Sequence, residues 1–499
     1  MSTNNPIAAK DIDRLLTMVT NGAAVRTDWF EVSAGDIYFA VPRHHPDTRT
    51  SEALWIVWGL FEVWAPFILD FLGFVMARLG GDSRLSRRFQ ESRRHKYDGN
   101  AFVPHALRRG ASLVIGDTRR WTGESYMRVS NASEAFRQLA AEYRKRFDIP
   151  VIAITGSSGK TTTKELAVAV LRKRFNVHST PGTANQEQDV CHLLLEMPRT
   201  SDIAVLEMGT VGWDTIGEKC RVANPTHGVI TNIGKAHLLG LKDVNGVVRA
   251  KRQLFDHVAA RGGEFFVCTD EPEVSGIVGD YSRVWTYGTG DMAGLRGDVA
   301  PGSETLTVHW RVSGQNKPPS PSRQHIVATN LFGAFNLPNV LCAIAIGLRF
   351  GVDVDQINDA IASYLPDNHR SQWIVMDSTK LICDCYNANP SSMMAALRAF
   401  SVLTTPRKVA ILGEMRELGD HSEQEHSMLL NEVNKMELDA TYFVGDSFSI
   451  ARLSKNQFWY PNVGALIASV TASDLAGKLV LLKGSRGVEL ERVLDLFRE

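Results

Sequence analysis

The stretch VIAITGSSGKTTTKE, Val151 to Glu165, constrains this chain more than any other. Four apolar residues run into a threonine and a glycine. Two serines follow, then Gly159-Lys160-Thr161. That order predicts a buried strand, a glycine turn and a helix start. Glycines at Gly156 and Gly159 let consecutive backbone N–H groups of Ser157, Ser158 and their neighbours converge on an anion, and the helix N-terminus adds its dipole. Lys160 would reach β- and γ-phosphates, the Thr161 hydroxyl would ligate Mg²⁺, and Thr162 continues the turn. A strict version of the pattern has glycine at position 154, which is Ile154 here. A plain strand–turn–helix with an incidental lysine is the competing explanation. It does not account for Gly-Lys-Thr placed where an apolar strand ends and a helix opens.

From Pro150 onward strands and helices alternate. "IAVLEM", "HGVITNI" and "GEFFVC" read as strands, with a helix running through Lys251 to Ala260. This spacing predicts a parallel, doubly wound sheet. The stretch from Pro301 to Leu331 alternates and is rich in turn residues, which predicts a small antiparallel patch. A helical run is expected over Pro338 to Leu365. A second alternation follows in "KLICDCY", "KVAILGEM", "ATYFVGD" and "KLVLLKGS". Ahead of all this, "GDIYFAVP" and "ALRRGASLVIGD" predict a smaller α/β unit, and Ser133 to Phe147 an amphipathic helix. The expected architecture is α/β in three domains. They are a small N-terminal domain over 1–147 with an apolar helical insertion at about 44–95, a central P-loop ATPase domain with a doubly wound parallel sheet over 148–366, and a Rossmann-like α/β domain over 367–499.

A chain of 499 residues, 44% of them hydrophobic, can build two or three cores. Its 55 basic and 55 acidic residues cancel, so the total charge gives no support for nucleic-acid binding. The six cysteines are scattered and show no paired metal spacing, which fits a reduced, cytoplasmic chain. The N-terminus has no basic segment followed by an apolar run, so no signal peptide is expected.

One segment resists the soluble picture. Leu54 to Gly81 is apolar enough for a membrane span, yet it carries Glu62, Pro66 and Asp70, and the basic "RLSRRFQESRRHK" follows. Charges near mid-span would cost a few kcal/mol each. A single crossing would also split one small domain across a bilayer. Pro66 favours two short helices. A helical hairpin over 52–95 leaves three uses open: a peripheral membrane contact, an oligomer contact, or the wall of an apolar acceptor pocket.

The phosphate loop resembles that of the Mur ligase family, the ATP-dependent amino-acid and peptide ligases of peptidoglycan synthesis. Further family motifs appear in order. They are "LEMG" (206–209), "TNIGKAHL" (231–238), "RAKRQLF" (249–255), "GAFNLPNVLCAIA" (333–345), "DCYNANPSSM" (384–393), "LGEMRELG" (412–419) and "LLKGSRGVELERV" (481–493). The resemblance implies activation of a carboxylate by ATP to an acyl phosphate, then displacement of phosphate by an amine. It also implies D-alanyl-D-alanine as amine and a UDP-N-acetylmuramoyl tripeptide as acceptor. By resemblance Lys160 serves catalysis; Thr161 and Glu207 bind Mg²⁺; His237 serves a second Mg²⁺; and Lys251 is carbamylated by CO₂ to become an anionic metal ligand. Asn336 would hydrogen-bond adenine, although Phe335 stands where the family usually has histidine. Arg370 and Asp384 would reach phosphates and ribose, with Tyr386 and Asn387 in the adjoining loop. Lys483 and Arg486 could face the same cleft or merely pack the domain. Taken on its own, a lone histidine is more often structural, and Lys251 reads as a surface helix lysine.

Departures fall on the acceptor side. The family's Thr-Asp-Ser-Arg run is Thr27-Asp28-Trp29-Phe30, which removes an arginine suited to pyrophosphate. Of a Gly-Asn-Leu-Asn-Asn-Glu-Ile-Gly run, Gly182, Asn185 and Glu187 survive. Leu239 replaces a usual glutamate. Two other readings therefore stay open: a Mur-like amide ligase joining a different carboxylate and amine, and a non-catalytic nucleotide-binding partner protein. A P-loop switch or kinase would leave "DCYNANP" and "KGSRG" without a role.

Overall fold

The computed structural model describes residues 7–28, 31–41, 99–210, 212, 215–301, 304–313, 323–405, 407–449 and 453–497. The expected hairpin at 52–95, together with Trp29 and Phe30, lies outside them. Among the described residues no helix is long and apolar enough to cross a membrane. The chain forms two compact units, one of residues 1–147 with 191–196 and one of residues 148–190 with 197–499.

The first unit holds a four-stranded, all-parallel sheet in the order β1 (Val25–Arg26), β2 (Ile37–Phe39), β3 (Leu113–Gly116), β4 (Tyr126–Arg128). β2 and β3 are buried throughout, as strands covered on both faces must be. The helix Ala132–Arg144 is capped by Asn131, whose side chain accepts from the Glu134 N–H at 2.9 Å. Its apolar face carries Phe136 into contact with Phe39, ring centroids 5.2 Å apart. The Thr27 hydroxyl lies 2.7 Å from His192 Nε2.

The second unit contains two sheets. The larger has nine strands: β5 (Val151–Thr155), β6 (Val177–Ser179), β7 (Ile203–Glu207), β8 (His227–Ile230), β9 (Glu264–Cys268), β10 (Val284–Gly288), β11 (Leu295–Val299), β12 (Thr307–Val312) and β13 (His325–Ala328). Their order is β13-β12-β11-β10-β9-β8-β5-β7-β6. Pairing is parallel except β11–β12 and β12–β13. The expected antiparallel patch is thus the far edge of the ATPase-like sheet. β5 sits where the strand order reverses, since the chain builds β6 and β7 on one side and β8 on the other. In such sheets the crevice beyond the strand C-termini at the reversal is where ligands bind. Three motif loops meet there, because Ile154 pairs with Glu207 across β5–β7 and Thr155 with Ile230 across β5–β8.

The expected helical run over 338–365 is two helices, Leu337–Arg349 and Val354–Ser363, separated at Gly351 with φ +71°. The first is apolar nearly all round and packs into the core with the helix Lys160–Leu171.

The smaller sheet runs β14 (Gln372–Met376), β15 (Thr379–Asp384), β19 (Leu479–Lys483), β16 (Lys408–Gly413), β17 (Ala440–Val444), β18 (Gln457–Tyr460), parallel except β14–β15. The mixed α/β class and the parallel sheets are as the sequence predicts.

Candidate active site

The phosphate loop has the geometry its residues require. Gly156 takes φ +152° and Gly159 φ +79°, with Gly159 at the N-cap of Lys160–Leu171. Neither position has room for a side chain. A Cβ on Gly156 would sit 1.8 Å from Thr231 Oγ1, and one on Gly159 2.5 Å from Asn339 Oδ1. The loop is held from behind by "TNIG". The Ser157 and Ser158 N–H groups, expected to point at an anion, instead donate to Asn232 O and Asn232 Oδ1 at 3.1 and 2.9 Å, and the Thr231 hydroxyl donates to Ser158 O at 2.6 Å. The first N–H groups of the helix have no intrahelical partner.

Glu207, wholly buried at the end of β7, is fixed by three neutral groups. Its Oε2 accepts from the Thr161 hydroxyl and its Oε1 from Asn185 Nδ2, both at 2.8 Å. Its own N–H donates to Thr180 Oγ1 at 2.8 Å. Thr161 and Glu207, expected as partners on one cation, are therefore in direct contact. Asn185 was not anticipated as part of the site. Lys160 folds back onto its own loop, Nζ donating to Gly156 O at 2.8 Å. Burial holds its pKa below the ordinary lysine value of 10.5, against the pull of Glu207.

Lys251 is not a surface lysine. It is 1% exposed, on the stripe Val247, Ala250, Leu254, Phe255 and Val258 of the helix Val244–Ala259. That stripe was legible in the sequence, and Lys251 falls on it. Among the described residues its Nζ makes no hydrogen bond or ion pair. Burial first, then the charges of Lys160 and Lys219, drive its pKa well below 10.5. Lys219, also buried, donates to Gly209 O, and burial brings its pKa to about 8.

His237 has left-handed backbone, φ +55°, at the N-cap of the short helix Leu238–Leu241. Its Nδ1 lies 2.6 Å from Glu417 Oε2 of "LGEMRELG". This hydrogen bond holds the Glu417 carboxyl below its usual value. With Glu417 ionised, Nδ1 carries the hydrogen of this bond and the ring is held with Nε2 turned away from Glu417. Glu417 is a second residue not anticipated from the sequence.

The loops of the smaller sheet touch the same place. The Asn389 side chain caps the helix Pro390–Ser401 in a capping box and donates through Nδ2 to Ser158 Oγ at 3.1 Å. Tyr386 pairs through its hydroxyl with Thr183 Oγ1 and carries Arg370 over its ring at 4.3 Å and Arg486 at 5.4 Å. Arg370 Nε is buried without a partner, and the charge of Arg370 is felt at Lys160. An orphaned guanidinium donor beside a phosphate loop suits an anionic guest.

Other expected nucleotide contacts are already engaged within the protein. Both amide hydrogens of Asn336 are given, to Phe332 O at 2.8 Å and Ser371 Oγ at 2.9 Å. Its Oδ1 accepts from Asn339 Nδ2 at 2.8 Å. Only one Oδ1 lone pair remains for an adenine amine. Asp384 accepts from the Ser371 N–H at 3.1 Å and pairs with Lys483 Nζ at 2.8 Å, both residues buried. Asn387 Oδ1 accepts from the next N–H of its own loop, and Arg486 pairs with Glu491 at 2.9 Å. In this conformation Asp384, Asn387 and Lys483 shape the loop. Thr162 lies buried in the helix's first turn.

Replacing Asn389 with alanine removes the cap and the bridge to Ser158 together. The expected loss is about 1 kcal/mol, read as a lower denaturation midpoint. An unchanged midpoint would show that neither contact matters.

Against known proteins, residues 154–347 match the family model described as the Mur ligase middle domain. Residues 369–486 match that of the Mur ligase, glutamate ligase domain. A UDP-N-acetylmuramoyl-tripeptide–D-alanyl-D-alanine ligase of Bacillus subtilis is 30% identical over 411 residues, 80% of this chain and 87% of its own. The enzyme of the same name from Synechocystis is 30% identical over 421 residues, 82% of this chain and 88% of its own. The fold matches a crystal structure of MurF from Acinetobacter baumannii with TM-score 0.76 at 22% identity, covering 97% of this chain and 98% of that one. It matches MurF from Thermotoga maritima in complex with ADP with TM-score 0.75 at 23% identity, covering 96% and 97%.

Proposed function

Given that the chain belongs to the Mur ligase family, we propose that it couples ATP cleavage to amide-bond formation, joining D-alanyl-D-alanine to a UDP-N-acetylmuramoyl tripeptide. The carboxylate of the acceptor attacks the γ-phosphate, ADP leaves, and the acyl phosphate forms. The dipeptide amine then adds to the acyl carbon, and phosphate departs from the tetrahedral intermediate. The relatives are named as ligases of D-alanyl-D-alanine and the UDP-N-acetylmuramoyl tripeptide, which supports this reading. The observation that carries the reading is the Thr161–Glu207 contact behind a phosphate loop onto which Lys160 folds.

The donor set suits Mg²⁺. The Thr161 hydroxyl and Glu207 carboxylate are hard oxygen ligands. His237 offers Nε2 once Glu417 fixes its ring, the arrangement usual for a ligating histidine. A Lys251 carbamate would complete a second site. The setting favours it: a buried neutral amine is nucleophilic toward CO₂, it loses one proton on reaction, and the positive charges of Lys160 and Lys219 stabilise the anion produced. When bound, the cations would screen the charge that builds on the phosphoryl oxygens. Lys160 and Arg370 hold the transferring phosphoryl group from the protein side, and Tyr386 keeps the Arg370 plane aligned.

One observation favours a different acceptor for the same chemistry. Thr27 is engaged with His192 on one side of the altered run, so its hydroxyl is not held ready for a pyrophosphate. Phosphate release from ATP and Mg²⁺ decides the matter, with the tripeptide nucleotide and D-alanyl-D-alanine supplied singly and together. Release only with both, and a product heavier by the dipeptide, establishes the proposed reaction. No release from protein that still binds ATP moves the acceptor to another carboxylate.

A further inference from the structure

Cys383, Cys385 and His369 converge in the second unit, where the sequence showed only scattered cysteines. Residues two apart on an extended strand point the same way. The end of β15 therefore sends both thiols to one face and Asp384, between them, to the other. The backbone of His369 closes on the same strand, its carbonyl accepting from the Cys385 N–H at 3.0 Å. This folds the imidazole over the thiols, with φ +55° at His369.

The distances are close to those of a ligand set. The two Sγ atoms lie 3.3 Å apart, His369 Nδ1 lies 3.5 Å from Cys383 Sγ, and all three atoms fall within 4.8 Å of one another. A tetrahedral zinc ion, with Zn–S about 2.3 Å and Zn–N about 2.0–2.1 Å, separates two sulfurs by about 3.8 Å and a sulfur from a nitrogen by about 3.6 Å, so the His369–Cys383 spacing already fits and the two thiols would part by about half an ångström on binding. Glu491 Oε2 is 4.0 Å from Cys385 Sγ, outside the cluster of three but adjacent to it, its other oxygen being held by Arg486. Both thiols are buried, while His369 is half-buried and gives an ion a way in. Two soft thiolates, an imidazole and a carboxylate select zinc over magnesium.

We infer that Cys383, Cys385 and His369, with Glu491, form a binding site for a thiophilic divalent cation, Zn²⁺ in particular, separate from the magnesium ligands of the phosphate loop. Binding displaces two thiol protons, so the cation enters as its charge is matched by two thiolates. The occupied site ties His369 to β15 beside Arg370, and through Glu491 and Arg486 it reaches the ring of Tyr386.

The test uses Co²⁺ as a spectroscopic stand-in, added to the reduced, chelator-treated full-length chain. The expected result is a thiolate-to-cobalt charge-transfer band that saturates at one equivalent. It should survive excess Mg²⁺ and be erased by one equivalent of Zn²⁺. The double variant C383S/C385S should lose the band although Cys191, Cys220, Cys268 and Cys342 remain. His369→Ala should keep the band with affinity weakened about tenfold or more. Absence of the band in the reduced wild-type chain overturns the inference, and this needs no variant to fold. Persistence of the band in C383S/C385S overturns it as well.

Discussion

Lys251→Met is expected to end turnover, with the rate down by about 10³-fold or more, an effect of the size seen when one group stabilising a transition-state charge is lost. Methionine matches the lysine stem in volume, so the helix Val244–Ala259 keeps its packing against the core. What disappears is the nitrogen proposed to add CO₂. Added bicarbonate should leave the variant inactive, whereas wild-type enzyme prepared in CO₂-depleted buffer should regain rate when bicarbonate is restored. The pH dependence has a definite sign. Only the neutral amine reacts with CO₂, so acidification through the depressed pKa of Lys251 protonates the amine and favours loss of CO₂. In CO₂-depleted buffer stability rises with pH. The folded state holds Lys251 with fewer protons than the unfolded chain, where its pKa is near 10.5. Burying it therefore destabilises the protein at neutral pH, and the penalty fades as pH rises toward that value. Lys251→Met should be the more stable protein at pH 7, by a margin that shrinks on going to pH 10. Wild-type turnover in the variant would remove Lys251 from the mechanism.

Glu207→Gln should separate stability from activity even more sharply. The carboxylate is completely buried, and its oxygens face a hydroxyl and an amide rather than a cation. Glutamine can keep both contacts, since Asn185 Nδ2 still finds an oxygen and the Thr161 hydroxyl can turn to accept. The buried charge, costly to desolvate, is gone. The midpoint of unfolding should therefore hold or rise while kcat falls by about 10²–10³-fold, the range for losing one preorganised electrostatic group. Binding of ATP without metal should change little, and the dependence of turnover on Mg²⁺ concentration should shift to higher values. Unaltered kcat and unaltered Mg²⁺ dependence together would refute the assignment of Glu207.

The phosphate loop could be read from the sequence because its chemistry is local. An apolar strand, two glycines at positive φ and Gly-Lys-Thr fall within fifteen consecutive residues. The strands β5, β7, β8, β9, β15, β16, β17 and β19 were legible as apolar runs for the same reason. β14 and β18 were not, since Gln372–Met376 and Gln457–Tyr460 are half-exposed edge strands with mixed patterns. Residues whose roles depend on distant partners were hidden too. Glu417 meets His237 across 180 positions, and Asn389 meets Ser158 across 231. Asn336 shows the converse. Its motif was plain, but only the fold reveals that its amide hydrogens are committed to Phe332 and Ser371.

The contact between Asn185 and Glu207 bears on how such an enzyme could change its diet. Gly209 leaves the space for it, since a Cβ there would lie 2.3 Å from Asn185 Oδ1. In the turn Gly182 to Asp189, Asn185 braces Glu207, and the carbonyl of Gly182 receives the buried Lys164 ammonium. These atoms serve the phosphate end. Ala184 and Gln186 carry no such duty, so mutation can rewrite them without disturbing the engine that spends ATP. A turn built this way is an evolvable one: its fixed points brace Glu207 and Lys164, and its free points can vary without disturbing them.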